Sequence, residues 1–413
     1  MFATSNPHRP LEGVTVLEFA QIMAGPVCGL MLADLGAEVI KIEKFPAGDD
    51  ARHYQKPGDT GLSPAFRMIN RDKRSLAVDV RTDAGRAVIE RLVRQADVVT
   101  ENFRRGVMDR LGLGFERLLA INPAIVYCSI SGYGHTGPLA DKGGFDLILQ
   151  AFSGLIAATG EADRPPVKPA ISVSDVNAGI LAALGILAAY VHRLKTGEGQ
   201  RVETSLLQGA IQQTYWMAAT WFSTGRETPR LGTAHPLIAP YQVFACQDRG
   251  IAIGGANVNA WERICRVLGK PEWPRDPRFE TPQARVANRA ALQTAIEAEL
   301  AHATAAEWCA RFDAAGVPVG PVNTVGEALD HEQTRAVGMV VDVEDGQGGF
   351  DRGIGLPVTL SRRQSKESSR RAPLVGQHSV EVLTAFGFTV EEIRQLCATS
   401  IVYQSECKPG DMP

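Results

Sequence analysis

Asp175 stands in Ser172-Val-Ser-Asp-Val-Asn-Ala-Gly179, directly ahead of the most apolar segment of the chain, 180–192. A carboxylate at the mouth of an apolar helix can do two things. As a cap it accepts hydrogen bonds from the orphan N–H groups of the first turn. As a nucleophile it is kept ionised by the positive end of the helix, beside a substrate. On these residues alone the cap is the commoner role, because Asp is a favoured capping residue and nucleophilic carboxylates are scarce. Asp146, in Gly143-Gly-Phe-Asp-Leu-Ile-Leu-Gln-Ala-Phe-Ser-Gly154, repeats the pattern and also reads first as a cap.

Basic residues gather near the expected strand ends: Lys44; Arg71, Lys73 and Arg74; Arg81; Arg104, Arg105 and Arg110. Any one of them is ordinary surface charge. Three or four on one sheet edge would suit a ligand with several phosphates, since Arg grips phosphate bidentately and Lys acts as a point charge. Coenzyme A, with a pyrophosphate and a 3′-phosphate, is such a ligand. Asn102 and Phe103 end a strand with an amide and a ring that could bond and stack a nucleotide, although a lone Phe is more often core. Ala20-Gln-Ile-Met-Ala-Gly-Pro26 occupies the place of a dinucleotide-binding turn, but has one Gly where GxGxxG needs three. Glu43 could mimic the acidic partner of an NAD ribose. NAD binding is therefore the weaker reading. Gly254-Gly255 is a small-residue loop, as suited to a tight turn as to covering a substrate.

Composition bounds the rest. The chain has 413 residues, 45% hydrophobic and 22% charged, with a net charge of −3, which suits two soluble domains and argues against nucleic-acid or membrane-surface binding as a whole. Seven scattered cysteines without a CxxC read as reduced thiols in a cytosol-like compartment. No HxxxH or HxH pair suggests a metal. Met1 to Pro10 shows no signal-peptide pattern. The apolar run 178–191 reads as a buried core helix, too short to span a bilayer comfortably. A soluble, cytoplasmic protein is expected.

The elements that must hold these residues alternate. Strands are expected at 14–19, 38–43, 75–80, 97–101, 124–130 and 200–205. Helices are expected at 27–35, with Gly36 as left-handed cap, at 83–95, and through Leu118 and Leu119. Repeated βα units imply a parallel sheet covered by helices, with ligands at the carboxyl ends of the strands. A long helix is expected over 206–222, a hairpin over 243–253, helices at 261–268, 289–300 and 305–315, a strand at 339–343 and a final helix at 390–397. Arg362 to Arg371 reads as a solvated basic linker. The expected fold is α/β: a Rossmann-like large domain with a parallel sheet, split over 1–205 and 321–413, a linker helix 206–224, and a smaller α+β domain 225–320.

Taken together and in order, these residues resemble the class III CoA-transferases, the family of formyl-CoA transferase, carnitine CoA-transferase and succinyl-CoA:glutarate CoA-transferase. The similarity runs from about Leu11 to Gln377. It includes AGP at Ala24, GAEVIKIE from Gly36, NRDKRSLAVD from Asn70, ENF at Glu101, GGFDLILQAFSGL from Gly143, SDVNAG from Ser174, KTGEGQ from Lys195 and GxPxGPV from Gly316. The resemblance implies Asp175 as the catalytic nucleophile. It implies CoA contacts at Met23 and Ala24, Lys44, Val78 to Arg81, Asn102, Phe103 and Arg110. A Met stands at 23 where a relative has Gln, and Gly143, beside Lys142, where formyl-CoA transferase has a pocket Lys. Asp146 meets an assisting acidic position, and Gly254 and Gly255 meet a mobile loop over the active site.

The implied reaction runs from an acyl-CoA, with succinyl-CoA the expected donor, to a dicarboxylic acid through an aspartyl anhydride and an aspartyl-CoA thioester. It needs neither metal nor resident cofactor, CoA itself being a substrate. The rival within the family is 2-methylacyl-CoA racemase, whose His before the Asp of the GxD segment is Phe145 here. A catalytically silent acyl-CoA-binding protein is the rival from another class, with an oxidoreductase third. The Arg230–Tyr241 segment is similar to the dicarboxylate branch, so Arg230 or His235 is a candidate partner for a distal carboxylate, against an equal claim for a structural linker. The family resemblance also implies an interlocked homodimer.

Overall fold

The structure is a computed structural model, described for residues 9–55, 62–255, 257–361 and 369–405. Most of the expected basic linker at 362–371, and Cys407, lie outside those residues. The chain forms two compact units, one of 1–153, 170–214 and 332–413, the other of 154–169 and 215–331. The joins fall at 153/154, 169/170, 214/215 and 331/332, against expected joins at 205/206, 224/225 and 320/321.

In the first unit a seven-stranded sheet carries β1 (Thr15–Glu18), β2 (Glu38–Glu43), β3 (Arg74–Val78), β4 (Val98–Glu101), β5 (Val126–Ser131), β6 (Arg201–Ser205) and the short terminal strand 402–403. Its order is 403-end strand, β3, β2, β1, β4, β5, β6, parallel throughout except where Val402 pairs antiparallel with Val78. The chain winds outward from β1 to one edge and returns at β4 to build the other. That reversal opens a crevice between the carboxyl ends of β1 and β4, the place where such sheets take ligands.

Strand side chains alternate, so each strand feeds two cores. Leu17, Ile40, Leu76 and Val99 pack on one face with Ile89, Leu92, Leu383 and Ile393. Val16, Val39, Val98 and Val126 pack on the other with Leu32 and Ala178, Ala182 and Ile186 of the long helix Val173–Thr196. That helix ends as its sequence directs, at Gly197 in the left-handed region.

The long helix departs from the expectation of a buried core element. Its 24 residues are long and apolar enough to cross a membrane, yet only one face packs on its own sheet. The small residues Ala178, Gly179, Ala182, Ala183 and Ala189 bury themselves there, while Ile180, Leu184, Val191 and Leu194 stand exposed on the other side, Leu194 by 70%.

The expected single helix over 206–222 is two, Leu206–Gln212 and Tyr215–Thr224. Thr214 breaks it: both its N–H and its hydroxyl donate to the Ile211 carbonyl, at 2.9 and 2.8 Å, so side chain and backbone compete for one acceptor.

The second unit is a three-stranded antiparallel sheet, β7 (Tyr241–Ala245), β8 (Gly250–Gly254) and β9 (Val319–Pro321), covered by helices that include Val258–Val267, Arg289–Leu300 and Ala305–Ala314. Its core is aromatic, with Phe244, Trp261, Phe279, Trp308 and Phe312 buried.

Candidate active site

The loop after β1 is pinned from both sides of the crevice. Asn102, just past β4, uses its amide twice on Gln21, accepting its N–H at 2.8 Å and donating to its carbonyl at 2.7 Å. The expected nucleotide-bonding amide is therefore engaged in holding the neighbouring loop. Asp49 accepts the N–H of Ile22 at 3.0 and 3.2 Å and holds it at φ +68, a left-handed conformation that a β-branched residue adopts only under constraint. The result is Met23 as the N-terminal flank of the helix Ala24–Asp34, with Ala24 buried.

Beneath this loop lies a buried ionic network. Lys73 donates to both oxygens of Glu18 at 2.9 Å, to the Pro26 carbonyl at 2.9 Å and to Asn70 at 3.0 Å. Lys41 reaches Glu18 at 3.1 Å, Asp49 at 2.8 Å and the Ala20 carbonyl at 2.8 Å. Two ammonium groups against two carboxylates neutralise one another, which is how fully buried charges are tolerated. Lys73 is thus removed from the set of expected phosphate ligands. Arg71 is removed likewise, buried against Asp34 and Asp72, and Arg74 is paired with Glu38 and Glu381. Glu43, the candidate ribose partner, is buried and gripped by Arg52 at 2.8 and 2.6 Å and by Ser75 at 2.6 Å.

Lys44, Phe103 and the segment Val78 to Arg81, among the expected CoA contacts, converge. They line one cleft of about 310 Å³ at the carboxyl ends of β1 to β4, with Phe19, Phe45, Val107 and Leu111 as its apolar walls. Two of its charges are held locally: Lys44 Nζ lies 2.6 Å from Asp50, and Arg81 clasps Asp79 at 2.8 and 2.9 Å. Asp79 is held below the usual carboxylate range by the Arg81 hydrogen bonds. Arg110 is exposed on the turn between Val107 and Leu111 and does not itself line the cleft.

Phe103 also borders a second, smaller cavity of about 150 Å³, with Asn102, Arg104, Arg105, Lys142 and Phe145. Its walls carry three cations against Asp141, which pairs with Arg105 at 3.6 Å. A Cβ on Gly143 would stand 3.1 Å from the Arg104 guanidinium, so glycine at that position makes room for Arg104. Phe145, at the position of the racemase His, is 67% exposed and holds no titratable group.

Asp175 does not occupy the cap position. The helix begins at Val173 with Ser172 as its flank, and Asp175 is its third residue, half-buried in the first turn. The cap comes from elsewhere: Asp146 Oδ1 accepts the Ser174 N–H at 3.0 Å. Gln150, one turn beyond Asp146 and wholly buried, donates to Asp146 Oδ2 at 2.7 Å and to the Ile171 carbonyl at 3.0 Å. Asp146 is a cap, as its sequence context suggests, although the helix it caps is the one bearing Asp175. The long helix meets the start of the helix Ala24–Asp34 closely, since a Cβ on Gly179 would lie 2.5 Å from the Ala24 carbonyl.

In the second unit, Gly254 ends β8 and Gly255 follows it. Gly254 N–H donates to the Pro318 carbonyl at 3.0 Å, and Gly255 N–H to the Pro240 carbonyl at 2.7 Å, with no room for a Cβ at Gly255. Arg230 spends its guanidinium on the carbonyls of Glu161, Ala162 and Arg164, at 3.1–3.3 Å, as a clamp on that segment. His235 Nδ1 accepts the Leu237 N–H at 3.1 Å.

Asp49, Gln150 and the Glu18–Lys41–Lys73 network escape sequence reading. For the network the one signal is charge at inward-facing strand positions, Glu18 and Lys41, where an apolar residue is expected.

A family model described as CoA-transferase family III matches residues 11–379. The chain is 37% identical over 390 residues to a succinate–glutarate CoA-transferase of Agrobacterium fabrum, covering 92% of this chain and 97% of that protein. It is 40% identical over 339 residues to an acetyl-CoA:oxalate CoA-transferase of Acetobacter aceti, covering 82% and 87%. Among solved structures, a CAIB/BAIF family protein from Brucella suis superposes with a TM-score of 0.82 at 38% identity, covering 91% of this chain and 99% of that one.

Proposed function

The chain belongs to CoA-transferase family III, and from that premise we propose that it moves CoA from succinyl-CoA to a dicarboxylic acid, with Asp175 as the covalent carrier. The observation that carries the reading is the convergence of Lys44, Val78, Arg81 and Phe103, from three strand ends, on one cleft beside the β1–β4 crevice. Cations at its mouth suit phosphates, and its apolar walls suit a purine. Relatives named for succinate, glutarate and oxalate support an acid acceptor with two carboxyl groups.

Asp175 sits in the first turn of a long helix, where aligned peptide dipoles favour the ionised carboxylate. Its oxygen attacks the thioester carbonyl, the C–S bond breaks, and CoA leaves as thiolate with a mixed anhydride on Asp175. The thiolate attacks the aspartyl carbonyl, expels the donor carboxylate and leaves an aspartyl-CoA thioester. The acceptor carboxylate displaces the thiolate from that thioester, forming a second anhydride. Attack of the thiolate on the acceptor acyl carbon yields the new acyl-CoA and restores Asp175. One thioester replaces another, so no outside energy source is required, and a hard displacement becomes four easier ones. Backbone N–H groups are the natural stabilisers of each oxyanion.

The racemase reading loses its second proton-exchanging group at Phe145. The silent-binder reading is separated by exchange of labelled succinate into acyl-CoA. Wild type exchanging label while Asp175→Asn does not supports the transferase, and equal exchange by both removes Asp175 from the chemistry. We also propose a homodimer, supported by the exposed stripe Ile180, Leu184, Val191 and Leu194 along one helix face. A monomer in light scattering would end that proposal.

A further inference from the structure

Glu101 ends β4 one residue before the loop-holding Asn102, and it is buried. None of the reaction steps above uses it. It heads a chain of hydrogen bonds that runs out to the edge strand. Arg201 Nη2, on β6, lies 3.3 Å from His135 Nδ1. His135 Nε2 lies 2.8 Å from Ser129 Oγ, and Ser129 Oγ contacts Glu101 Oε1. Tyr127 O–H approaches the same oxygen at 3.4 Å, while Oε2 accepts the Phe103 N–H at 2.8 Å.

The chain has one consistent direction. Arg carries only donors, so Arg201 makes His135 Nδ1 the acceptor and leaves the imidazole proton on Nε2. That N–H donates to Ser129, whose single hydroxyl proton must then go to Glu101. Glu101 is therefore required as an acceptor at Oε1, and ionisation satisfies it. A proton on Oε1 would face the Ser129 proton. Reversing the whole chain would set an Nδ1–H against the Arg201 donor. The charged and titratable groups facing this chain are Arg201 and Glu203 of β6, paired at 2.7 Å, Arg105 and Asp109 after β4, and Tyr127 and Cys128 of β5.

We propose that Glu101 is a positioning residue for the nucleotide cleft: its carboxylate, aligned by Arg201, His135 and Ser129, fixes the Phe103 backbone, and its protonation loosens Phe103 and weakens CoA binding. This rests on the reading of the Phe103 cleft as the CoA site. Burial pushes the Glu101 carboxyl up to about 7, against the pull of its donors, so the change falls in the physiological range. Burial lowers the His135 value, which keeps that ring neutral and the relay directional.

The test is CoA affinity by calorimetry as a function of pH for wild type, Glu101→Gln, Ser129→Ala and Phe103→Ala, with melting curves to confirm folding. Between about pH 8 and about pH 6 wild type should lose affinity on the order of fivefold more than Glu101→Gln, which holds a neutral group at all pH. Ser129→Ala, having lost the donor that favours the carboxylate, should move the inflection to higher pH. It serves as the second arm if Glu101→Gln does not fold. The ionisation of CoA's own 3′-phosphate is common to every protein and cancels in the comparison. Superimposable profiles for wild type and the folded variants, with Phe103→Ala still weakening CoA, would overturn the positioning role alone. Unchanged CoA affinity in Phe103→Ala would overturn the site reading beneath it.

Discussion

Asp146 caps a helix that is not its own: its Oδ1 accepts the Ser174 N–H at 3.0 Å, one residue before Asp175. With Gln150 tied to the other oxygen at 2.7 Å, the two form a brace across the mouth of the long helix. Asp146→Ala should cost about 1–3 kcal/mol of stability, since it strands a first-turn donor and takes one of the two acceptors of the Gln150 amide. It should also lower kcat more than it raises KM for acyl-CoA, because the cleft lies on other elements. Denaturant unfolding and steady-state kinetics read both. Asp146→Asn, which keeps one acceptor oxygen, should fall between. A variant with wild-type stability and turnover would remove the brace from the account.

Gly179 gives the second prediction. A Cβ there would stand 2.5 Å from the Ala24 carbonyl, a backbone atom that cannot yield as a flexible side chain can. Gly179→Ala gains helix propensity of up to about 1 kcal/mol yet should destabilise by about 1–3 kcal/mol overall from overpacking. CoA affinity should fall with it, because the displaced element is the Met23–Ala24 loop. Increased stability in thermal melts would show that the two helices separate without cost.

Lys44 and Asp50 lie 2.6 Å apart at the cleft, both about half exposed. If Lys44 serves a phosphate, Asp50 competes for it. Lys44→Ala should weaken CoA binding by about tenfold, as expected for one charge-assisted contact. Asp50→Asn should tighten it by a smaller factor. Titrations at two ionic strengths check the pair, and the Lys44 effect should shrink in high salt. Weakening by Asp50→Asn would mean that Asp50 orients Lys44.

His378 supplies a pH dependence of stability. Its Nδ1 accepts the Ser75 N–H at 3.2 Å, and burial holds its value down to about 4, from an ordinary 6.5. Between those values the unfolded chain binds the extra proton, so this stabilisation is complete above about pH 6.5 and drains away towards about pH 4. The full shift corresponds to about 3 kcal/mol, and solvent screening of this partly exposed ring reduces it to on the order of 2 kcal/mol. Glu101, raised to about 7, acts with the opposite sign over part of the same range. The difference in unfolding free energy between wild type and His378→Gln isolates the histidine. It should narrow as pH falls, and a difference flat in pH would refute the assignment.

The sheet was legible because its strands are short β-branched runs separated by amphipathic helices. β2 spans Glu38–Glu43 as read, and β1, β4 and β6 fall within a residue or so. The strand order was not, since nothing in a strand's own residues names its neighbour. That order decides which loops meet, and hence why Asn102 holds Gln21. Lys73 and Arg71 misled for a related reason: a cation near a strand end reads as a ligand grip, and only the fold reveals Glu18 and Asp34 opposite them. The face of the long helix was half legible. Its apolarity is plain, but alanine and glycine mark the side packed on the sheet, while Leu184 and Leu194 mark the side left exposed. Asp146 and Asp175 were both singled out by sequence, whereas their relation needed a contact between residues 28 apart in sequence.

The proposed role of Asp175 as acyl carrier can be followed directly with an isotope. In the anhydride route the acceptor carboxylate leaves one of its own oxygens on Asp175 when CoA takes the acyl carbon. Turnover with an acceptor acid labelled at its carboxylate oxygens with heavy oxygen, followed by peptide mass spectrometry, should find the label on the peptide containing Asp175, confined by fragmentation to that side chain. Complete turnover of labelled acid with Asp175 left unlabelled would contradict the account.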